Sequence, residues 1–423
     1  MAAKLLYVVL DGAPDGFRRD TALSLADKPG LDSLAERGLC GLAYILGQGI
    51  APESDAAVMS LLGYDPERYY TGRGPLEALG AGLGLPEGGV ALRANFATVD
   101  PGTLRILDRR VGRSLSSGEA RRLGGALDGL ELSGGLATAR FKATIGHRGV
   151  LVLEPHGVRL SGAISNTDPA YVRRGKISIA VESFEPYIRE AVALEDTREA
   201  QLAASLVNEF TRLAVEILDG HEVNVERRSR GLPPANAVLL RDAGDRLPPA
   251  EPIRIKFGLR FASIVEMVVE RGIARALGIH DIPVEVEGRD RPDLLREEAK
   301  LAARALDKFD AVYVHLKGPD EPGHDGDLEA KVRAIEEIDR YFIRSVLDRI
   351  PLEDTLVVVT SDHATPWYRK AHSGDPVPLL LSNPKLDRGP GRFTEEACKD
   401  GPLGVVEGGY RILPLALDTM KRL

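Results

Sequence analysis

Residues 311–326 read Ala311-Val-Tyr-Val-His-Leu-Lys317-Gly-Pro-Asp320-Glu-Pro-Gly-His324-Asp-Gly, and this stretch decides the fold that we expect for the chain. Its first six residues form a continuous apolar run, which is typical of an interior strand of a parallel sheet. A turn rich in proline and glycine follows and carries an aspartate and a histidine four residues apart. Oxygen and imidazole ligands that converge beyond a strand are what a divalent transition-metal site requires.

Two more polar turns with histidines lie further along the chain. The apolar run Thr355–Thr360 leads into Ser-Asp362-His363, and Ala-His372-Ser-Gly-Asp follows shortly afterwards. His324, His363 and His372 are three of the eight histidines in the chain. This concentration of histidines predicts a metal centre.

Asp11 extends the pattern to the N-terminus, because it ends the apolar run Leu5–Leu10 and enters a sharp turn. In an open parallel sheet, ligands bind beyond the carboxyl ends of the strands. Asp11, Asp320 and Asp362 each follow an apolar run, so the sequence predicts that all three point into one crevice. Taken singly, each is better explained as a turn residue or a helix cap; the histidines favour the metal site.

Strand and helix patterns alternate over most of the chain and predict an α/β fold with a doubly wound, mostly parallel sheet. We interpret five continuous apolar runs as interior parallel strands: Leu5–Leu10, Ala237–Leu240, Ala311–Leu316, Thr355–Thr360 and Val377–Leu381. Residues 111–193 differ, because their short alternating stretches predict a smaller inserted α+β domain. We therefore predict a metal-binding core of residues 1–110 and 194–423, and an insert of residues 111–193 that binds substrate as a lid.

Composition and charge narrow the class of protein. The chain has 423 residues, 43% of them hydrophobic and 28% charged, which is typical of a soluble globular protein. A net charge of −8 argues against nucleic acid as a partner. We interpret the first apolar run as a buried strand rather than a signal peptide, and no segment has the apolar length of a membrane span. Two cysteines cannot form a disulfide framework, so the cytoplasm is the expected location.

Ser54 allows two interpretations. It lies in Ala-Pro-Glu-Ser54-Asp-Ala-Ala-Val-Met-Ser-Leu-Leu-Gly-Tyr, at the start of a short apolar helix. The local sequence alone favours a simple helix N-cap. Alternatively, the helix N-terminus presents free N–H groups to a phosphate, and a serine coordinated to a metal there becomes a nucleophile.

Taken together, these motifs resemble the alkaline phosphatase superfamily of binuclear metalloenzymes. The resemblance rests on five short segments: Val-Val-Leu-Asp11-Gly, Glu-Ser54-Asp, Gly-Pro-Asp320-Glu-Pro-Gly-His324, Ser-Asp362-His363 and His372-Ser-Gly-Asp. More narrowly, the chain resembles the archaeal-type 2,3-bisphosphoglycerate-independent phosphoglycerate mutases. Further agreement lies in Tyr70-Thr-Gly-Arg-Gly-Pro-Leu-Glu77, Arg93-Ala-Asn-Phe-Ala-Thr-Val-Asp100 and Gly231-Leu-Pro-Pro-Ala-Asn236, so that the match covers nearly the whole chain.

The resemblance implies two divalent metal ions, most often Mn²⁺, with Mg²⁺, Zn²⁺ and Co²⁺ as alternatives. The implied ligands are Asp320, His324 and His372 for one ion, and Asp11, Ser54, Asp362 and His363 for the other. It further implies that Ser54 takes the phosphoryl group of 3-phosphoglycerate, and that glycerate turns in a closed site to accept it on the other hydroxyl. The expected activity is the interconversion of 2- and 3-phosphoglycerate in glycolysis and gluconeogenesis, without 2,3-bisphosphoglycerate.

An anionic substrate of this kind calls for bidentate arginines. The candidates in and beside the predicted insert are Arg109, Arg110, Arg113, His147 and Arg148. Lys317 is a candidate contact for the phosphoryl group, and Asp168 for accepting a proton from a glycerate hydroxyl. A surface salt bridge or a turn explains each of these seven residues equally well. We interpret the remaining histidines of note as structural: His156, His221, His280 and His315.

Several alternatives keep the same residues. A phosphatase or phosphodiesterase of the same superfamily would retain every metal ligand. A sulfatase is disfavoured, because the Cys/Ser-x-Pro-x-Arg context is missing after Ser54, and phosphopentomutases place the nucleophile in a different local sequence. A non-catalytic protein that binds metal or phosphorylated ligands is the alternative from another class, and the intact Ser54 argues against it. The sequence leaves the oligomeric state open.

Overall fold

The structure is a computed structural model and describes residues 4–174, 177–181 and 183–423. Within those residues the strands are, in chain order, β1 (Lys4–Leu10), β2 (Gly38–Tyr44), β3 (Val90–Val99), β4 (Ile106–Asp108), β5 (Leu130–Leu132), β6 (Ala137–Ala143), β7 (Arg148–Pro155), β8 (Tyr171–Arg174), β9 (Ile177–Ala180), β10 (Ala237–Gly244), β11 (Phe261–Val265), β12 (His280–Ile282), β13 (Ala311–Leu316), β14 (Thr355–Thr360), β15 (Val377–Ser382) and β16 (Val405–Glu407).

The helices of the same residues are, in chain order, α1 (Ala22–Leu25), α2 (Pro29–Glu36), α3 (Ser54–Leu61), α4 (Pro66–Tyr69), α5 (Arg73–Gly80), α6 (Ser117–Gly125), α7 (Arg198–Asp219), α8 (Glu222–Ser229), α9 (Ile253–Phe257), α10 (Val268–Ala276), α11 (Arg291–Lys308), α12 (Asp320–Asp325), α13 (Leu328–Glu337), α14 (Arg344–Leu347), α15 (Glu395–Lys399) and α16 (Ile412–Met420). A π-helical segment, Ile338–Ile343, joins α13 to α14. None of the helices described is both long and apolar enough to cross a lipid bilayer.

The chain forms two compact units. Unit 1 consists of Met1–Tyr70 and Ala250–Leu423, and unit 2 of Thr71–Pro249. The predicted insert, residues 111–193, is narrower than unit 2. The difference arises because β3 and β10, which lie outside the predicted bounds, pair with each other in the sheet of unit 2.

Unit 1 is built on a sheet with the strand order β12-β11-β13-β1-β14-β15-β2-β16. β15 runs antiparallel to both of its neighbours, and the other neighbouring strands pair in parallel. The α/β class and the mostly parallel sheet are therefore confirmed. β13, β1 and β14 are adjacent in this order, so the residues that follow them lie at one edge of the sheet.

Unit 2 has an antiparallel sheet with the strand order β10-β3-β7-β6-β5, and β4 pairs with β3 off this path. β8 and β9 form a separate hairpin. The helix α7 follows the amphipathic pattern of its sequence and buries Phe210 in the core of the unit. Phe141 packs between Phe96 and Phe210, with ring centroids 5.6 and 6.0 Å apart.

Two strands differ from the expectation. Ala237–Leu240 was expected to be an interior parallel strand of the core sheet, but it is the start of β10 and is antiparallel in unit 2. Val377–Leu381 does lie in the sheet of unit 1, but β15 is antiparallel. Both strands are buried along their whole length. A continuous apolar run reports burial on both faces and carries no information about strand direction.

A buried ion pair lies beneath the carboxyl edge of the sheet in unit 1. The Lys331 ammonium group lies 2.6 Å from Asp15 Oδ1 and also donates to the carbonyl oxygen of Thr365 at 2.7 Å. Asp15 in turn accepts hydrogen bonds from the backbone N–H groups of Ala22 and Trp367. One ion pair therefore joins α13, the turn after β1 and the segment after β14.

We expect Lys331→Met to lower the free energy of unfolding by about 3–5 kcal/mol, because it leaves the buried Asp15 carboxylate without its cation. Denaturant unfolding monitored by circular dichroism is the measurement. The control is Lys300→Met, because Lys300 is half exposed and lies 3.7 Å from Glu297; such surface changes alter stability by no more than about 0.5 kcal/mol. Equal losses in the two variants would contradict the role given to Lys331.

Candidate functional site

The ends of β1 and β14 bring three predicted ligands together in unit 1. His363 Nε2 lies 3.3 Å from Asp11 Oδ1 and 3.1 Å from Asp362 Oδ2. Asp362 and His363 are fully buried, and Asp11 is nearly so. Ser54 Oγ, at the first residue of α3, lies 3.3 Å from the same imidazole nitrogen. The predicted set Asp11, Ser54, Asp362 and His363 therefore converges on one point.

The other predicted ligands surround Asp320, which begins α12. His324 Nε2 and His372 Nε2 each lie 3.5 Å from Asp320 Oδ1. The ring of His372 stacks on that of His363, with centroids 3.7 Å apart. The two sets are thus immediate neighbours, and His363 Nδ1 lies 3.9 Å from Asp320 Oδ1.

All three histidines present the same ring nitrogen to the centre. His372 Nδ1 donates to the carbonyl oxygen of Pro52 at 2.7 Å, and His324 Nδ1 to that of Lys370 at 3.2 Å. His363 Nδ1 lies 3.0 Å from the hydroxyl of Thr365, which itself donates to Asp320 at 2.6 Å. That hydroxyl must therefore accept from His363. A protonated, anchored Nδ1 and an open Nε2 are the usual state of a metal-binding histidine.

In the carboxylates of Asp11 and Asp362, one oxygen is already hydrogen-bonded or ion-paired and the other is not. Asp362 Oδ1 accepts hydrogen bonds from the backbone N–H groups of Gly12 and His363 at 3.1 and 3.0 Å, and Asp11 Oδ2 pairs with Lys317 at 2.8 Å. The other oxygens, Asp11 Oδ1 and Asp362 Oδ2, are buried and have no hydrogen-bond partner among the residues described. Buried, unsatisfied anionic oxygens beside open imidazole nitrogens fit a divalent cation.

Gly12 keeps this space open. Its backbone has a φ of +60°, and a Cβ there would lie 2.6 Å from Asp320 Oδ1 and 2.7 Å from Thr365 Oγ1. The turn after β1 consequently allows neither the conformation nor the volume of a larger residue.

The electrostatics of the centre follow from the same contacts. Burial alone would raise the pKa of Asp362, but His363 and His315 hold that pKa well below its usual range. Burial likewise opposes ionisation of Asp320, and the imidazoles of His372 and His363, in their protonated forms, lower its pKa. Both carboxylates are therefore ionised and available as ligands.

We interpret His315 from the sequence as structural, and in the structure it lies between a candidate metal ligand and a buried glutamate. It is fully buried in β13 and lies 3.4 Å from Asp362 Oδ2 and 3.2 Å from Glu270 Oε1. Sequence reasoning also missed Glu270 and Thr365. Glu270 sits in an ordinary amphipathic helix, α10, without a local motif. Thr365 follows Asp362-His363 by two residues, and that closeness to two predicted ligands was a signal that could have identified it.

The predicted substrate residues Arg109 and Asp168 contact each other in unit 2. Asp168 is almost fully buried and accepts from Arg109 Nε at 3.1 Å and Nη2 at 2.7 Å. Both oxygens of the predicted proton acceptor are thus engaged by a predicted anion-binding residue. Lys317 belongs to unit 1, where it contacts Asp11.

Arg110 precedes a left-handed turn and Arg113 is its last residue. Within the turn, Val111, Gly112 and Arg113 have φ values of +54°, +60° and +54°. This conformation is rare for a β-branched residue, and such strain is concentrated at functional sites. The pKa of His147 is lowered to about 4, first by burial and then by the charges of neighbouring arginines, which include Arg148. His147 is therefore neutral near pH 7.

Sequence reasoning missed two arginines of unit 2 as individual candidates. Arg93 on β3 and Arg241 on β10 are directly opposite each other in the antiparallel pair. Arg93 Nε and two nitrogens of Arg241 are buried without hydrogen-bond partners among the residues described. Burial, and then the charges of Arg73 and Arg241, lower the pKa of Arg93 to about 9. Glu77 offsets part of the charge, 3.7 Å from Arg93. Arg93 begins one of the segments on which the resemblance rests, whereas Arg241 lies in none of them.

We expect Thr365→Val to weaken the binding of two Mn²⁺ equivalents by about 10- to 100-fold, because the Thr365 hydroxyl orients His363 in one ligand set and Asp320 in the other. Calorimetric titration of metal-depleted protein is the measurement. Thr355→Val, at the opposite end of β14, is the matched control and should bind as the unmodified protein does. Unchanged affinities in the Thr365 variant would refute this orienting role.

Comparison with known proteins identifies the family of this chain. The model of the 2,3-bisphosphoglycerate-independent phosphoglycerate mutases matches residues 35–224. The chain is 57% identical over 423 residues to the 2,3-bisphosphoglycerate-independent phosphoglycerate mutase of Aeropyrum pernix, covering 99% of both chains.

Two solved structures share its fold. The PH0037 protein from Pyrococcus horikoshii aligns with a TM-score of 0.79 and 29% identity over 100% of this chain and 98% of that one. The cofactor-independent phosphoglycerate mutase from Thermoplasma acidophilum aligns with a TM-score of 0.65 and 26% identity over 99% of both. The chain therefore belongs to the 2,3-bisphosphoglycerate-independent phosphoglycerate mutases.

Proposed function

We propose that this chain interconverts 2-phosphoglycerate and 3-phosphoglycerate, with Ser54 carrying the phosphoryl group between the two positions. The observation that carries the proposal is the 3.3 Å separation between Ser54 Oγ and His363 Nε2, beside the open oxygens of Asp11 and Asp362. The names of the relatives support the choice of substrate and independence from 2,3-bisphosphoglycerate. Glycolysis and gluconeogenesis in the cytoplasm are the proposed setting. Cys40 and Cys398, both free and buried, are consistent with a reducing compartment.

The proposal assigns two divalent ions to the converging ligands. The ligand sets are Asp11, Ser54, Asp362 and His363 for one ion, and Asp320, His324 and His372 for the other. Mn²⁺ is the proposed ion, and Mg²⁺, Zn²⁺ and Co²⁺ are alternatives, because mixed oxygen and nitrogen ligation suits several of them. When bound, such ions supply positive charge that lowers the pKa of a serine hydroxyl and neutralises phosphoryl oxygens.

The phosphoryl group then moves through Ser54 in two balanced steps. Ser54 Oγ loses its proton and attacks phosphorus in line, the bond from phosphorus to the glycerate oxygen breaks, and that oxygen takes up a proton. The second glycerate hydroxyl then loses its proton as its oxygen attacks the phosphoserine, the bond between Ser54 Oγ and phosphorus breaks, and Ser54 Oγ takes up a proton again. The first turn of α3 adds free backbone N–H groups that favour negative charge at Ser54. We assign Lys317 to contact with the phosphoryl oxygens.

The arginines of unit 2 are the proposed binding groups for the substrate anion. Like charges opposite each other destabilise an antiparallel pair, so the facing Arg93 and Arg241 favour an anion as their partner. We retain as candidates in the same unit Arg109, Arg110, Arg113, His147, Arg148 and Asp168. The bidentate pair between Arg109 and Asp168 implies that Asp168 accepts a proton only after the guanidinium group moves to another partner.

The deciding experiment adds 3-phosphoglycerate to metal-depleted protein in the absence of 2,3-bisphosphoglycerate, with and without Mn²⁺. It measures the 2-phosphoglycerate formed and the phosphate released. Isomerisation that depends on Mn²⁺ with little free phosphate is the expected result. Phosphate release without isomerisation would instead identify a phosphatase. A strict requirement for 2,3-bisphosphoglycerate would overturn the proposed mechanism.

We expect Ser54→Ala to lower kcat by a factor on the order of 10⁴ or more, because the variant lacks the nucleophile. Mass spectrometry of acid-quenched enzyme should detect an added phosphoryl group on the unmodified chain and none on the variant. Ser33→Ala is the control, since the Ser33 hydroxyl donates within α2 to Gly30. Turnover by Ser54→Ala at the rate of the control would exclude a phosphoserine.

We expect Arg93→Lys and Arg241→Lys to raise KM about 10- to 100-fold, because lysine keeps the charge but loses the two-pronged donor geometry. Steady-state kinetics with 3-phosphoglycerate is the measurement. Arg140→Lys is the matched control, because Arg140 is an exposed residue of unit 2 that pairs with Asp128 at 3.1 Å. If KM stays the same in all three variants, these two arginines do not bind substrate.

A further inference from the structure

Glu270 contacts neither of the two proposed ligand sets directly, but it contacts two residues that do. It is 1% exposed and lies in the first turn of α10, where its Oε2 accepts from the backbone N–H of Met267 at 3.2 Å. Its other oxygen, Oε1, faces two basic side chains. Lys317 Nζ lies 2.5 Å from Oε1, and His315 Nδ1 lies 3.2 Å from it.

Each of those basic groups contacts a different carboxylate of the proposed centre. Lys317 Nζ lies 2.8 Å from Asp11 Oδ2, and His315 Nε2 lies 3.4 Å from Asp362 Oδ2. The backbone N–H groups of Gly12 and His363 already bind Asp362 Oδ1. Asp11 is therefore left with one open oxygen, and Asp362 is fixed in an orientation that presents a single oxygen.

We propose that Glu270 is a positioning residue that, by holding Lys317 against Asp11 Oδ2, makes Asp11 coordinate through one oxygen, and that it thereby favours small transition-metal ions over Ca²⁺. Ca²⁺ takes six to eight oxygen ligands and often binds carboxylates through both oxygens. Smaller ions of the Mn²⁺ and Zn²⁺ type accept fewer ligands and mixed nitrogen and oxygen donors. With Lys317 fixed on Oδ2, Asp11 cannot offer its second oxygen to a larger ion.

The inference rests on the proposed metal centre, but its test does not depend on turnover. Mn²⁺ and Ca²⁺ are titrated separately into metal-depleted unmodified protein and Glu270→Gln by calorimetry. We expect Glu270→Gln to bind Mn²⁺ about 10- to 100-fold more weakly. We also expect its preference for Mn²⁺ over Ca²⁺ to fall about tenfold, because Lys317 loses one of its two carboxylate anchors and a larger ion can then displace it from Asp11 Oδ2. A merely structural role would lower both affinities equally and leave their ratio unchanged, which would overturn the proposal.

Glu298→Gln is the matched control. Glu298 is also fully buried, and neither of its carboxylate oxygens has a hydrogen-bond partner among the residues described. Burial, and then the charge of Glu266, raises the pKa of Glu298 to about 8, so that glutamine resembles its neutral form at pH 7. Both ions should bind Glu298→Gln as they bind the unmodified protein. Equal changes in the two variants would show a general effect of removing a buried carboxyl.

Lys317→Met tests the route by which Glu270 acts. It should reproduce the lowered ratio of Mn²⁺ to Ca²⁺ affinity, and the double variant with Glu270→Gln should add little, because the two residues act as one unit. Full additivity would overturn the proposed route. If Glu270→Gln fails to fold, Glu270→Asp replaces it: the shorter side chain keeps the charge but cannot reach both partners, so the ratio should again fall. If the unmodified protein lacks mutase activity although it binds Mn²⁺ and the variants shift the affinity ratio as expected, the proposed function fails and this inference stands.

Discussion

The concentration of buried negative charge at one edge of the sheet is the constraint on which unit 1 depends. Asp11, Asp320 and Asp362 come together where β1, β13 and β14 end, and ionised groups of this kind are very unfavourable in a protein interior unless they are paired. The unit meets the constraint with two layers of partners. Backbone N–H groups hold one oxygen of Asp362 and Lys317 holds one oxygen of Asp11, while imidazole nitrogens, including those of His315 and His363, lie against the open oxygens. The space between is suited to cations.

The sequence was sufficient to predict that the candidate ligands lie together, because they share a local signature. Each predicted aspartate of the centre follows an apolar strand or lies in the turn after one, and the topology of a parallel sheet brings such positions to one edge. Glu270, His315 and Lys331 have no such signature, since their roles are created by contacts with residues 45 to more than 300 positions away. The resemblance supplied the division of the ligands into two sets, which local spacing could not.

The fold class was predictable for the same reason, and the direction of individual strands was not. The runs that became β10 and β15 are as apolar as the parallel strands, because they too are covered on both faces. Their direction depends on which strand they meet. The predicted insert is narrower than unit 2 for a related reason: β3 and β10 are 140 residues apart at their first paired residues, Ala97 and Ala237, so no local pattern reveals that they are neighbours.

As the proposed anion-binding groups, the facing arginines of β3 and β10 would couple ligand binding to the integrity of the sheet that holds them. Arg93 and Arg241 repel each other across a ladder of backbone hydrogen bonds, and the carboxylates of Glu77, Asp168 and Asp242, 3.6 to 4.0 Å from their guanidinium nitrogens, offset part of that repulsion. An anion that enters between them removes the repulsion as it binds. By thermodynamic linkage, whatever tightens the β3–β10 pairing must then also increase anion affinity, and the reverse. If these arginines bind the substrate as proposed, substitutions in the strands themselves, away from the arginines, are a second way to change the affinity for phosphorylated acids.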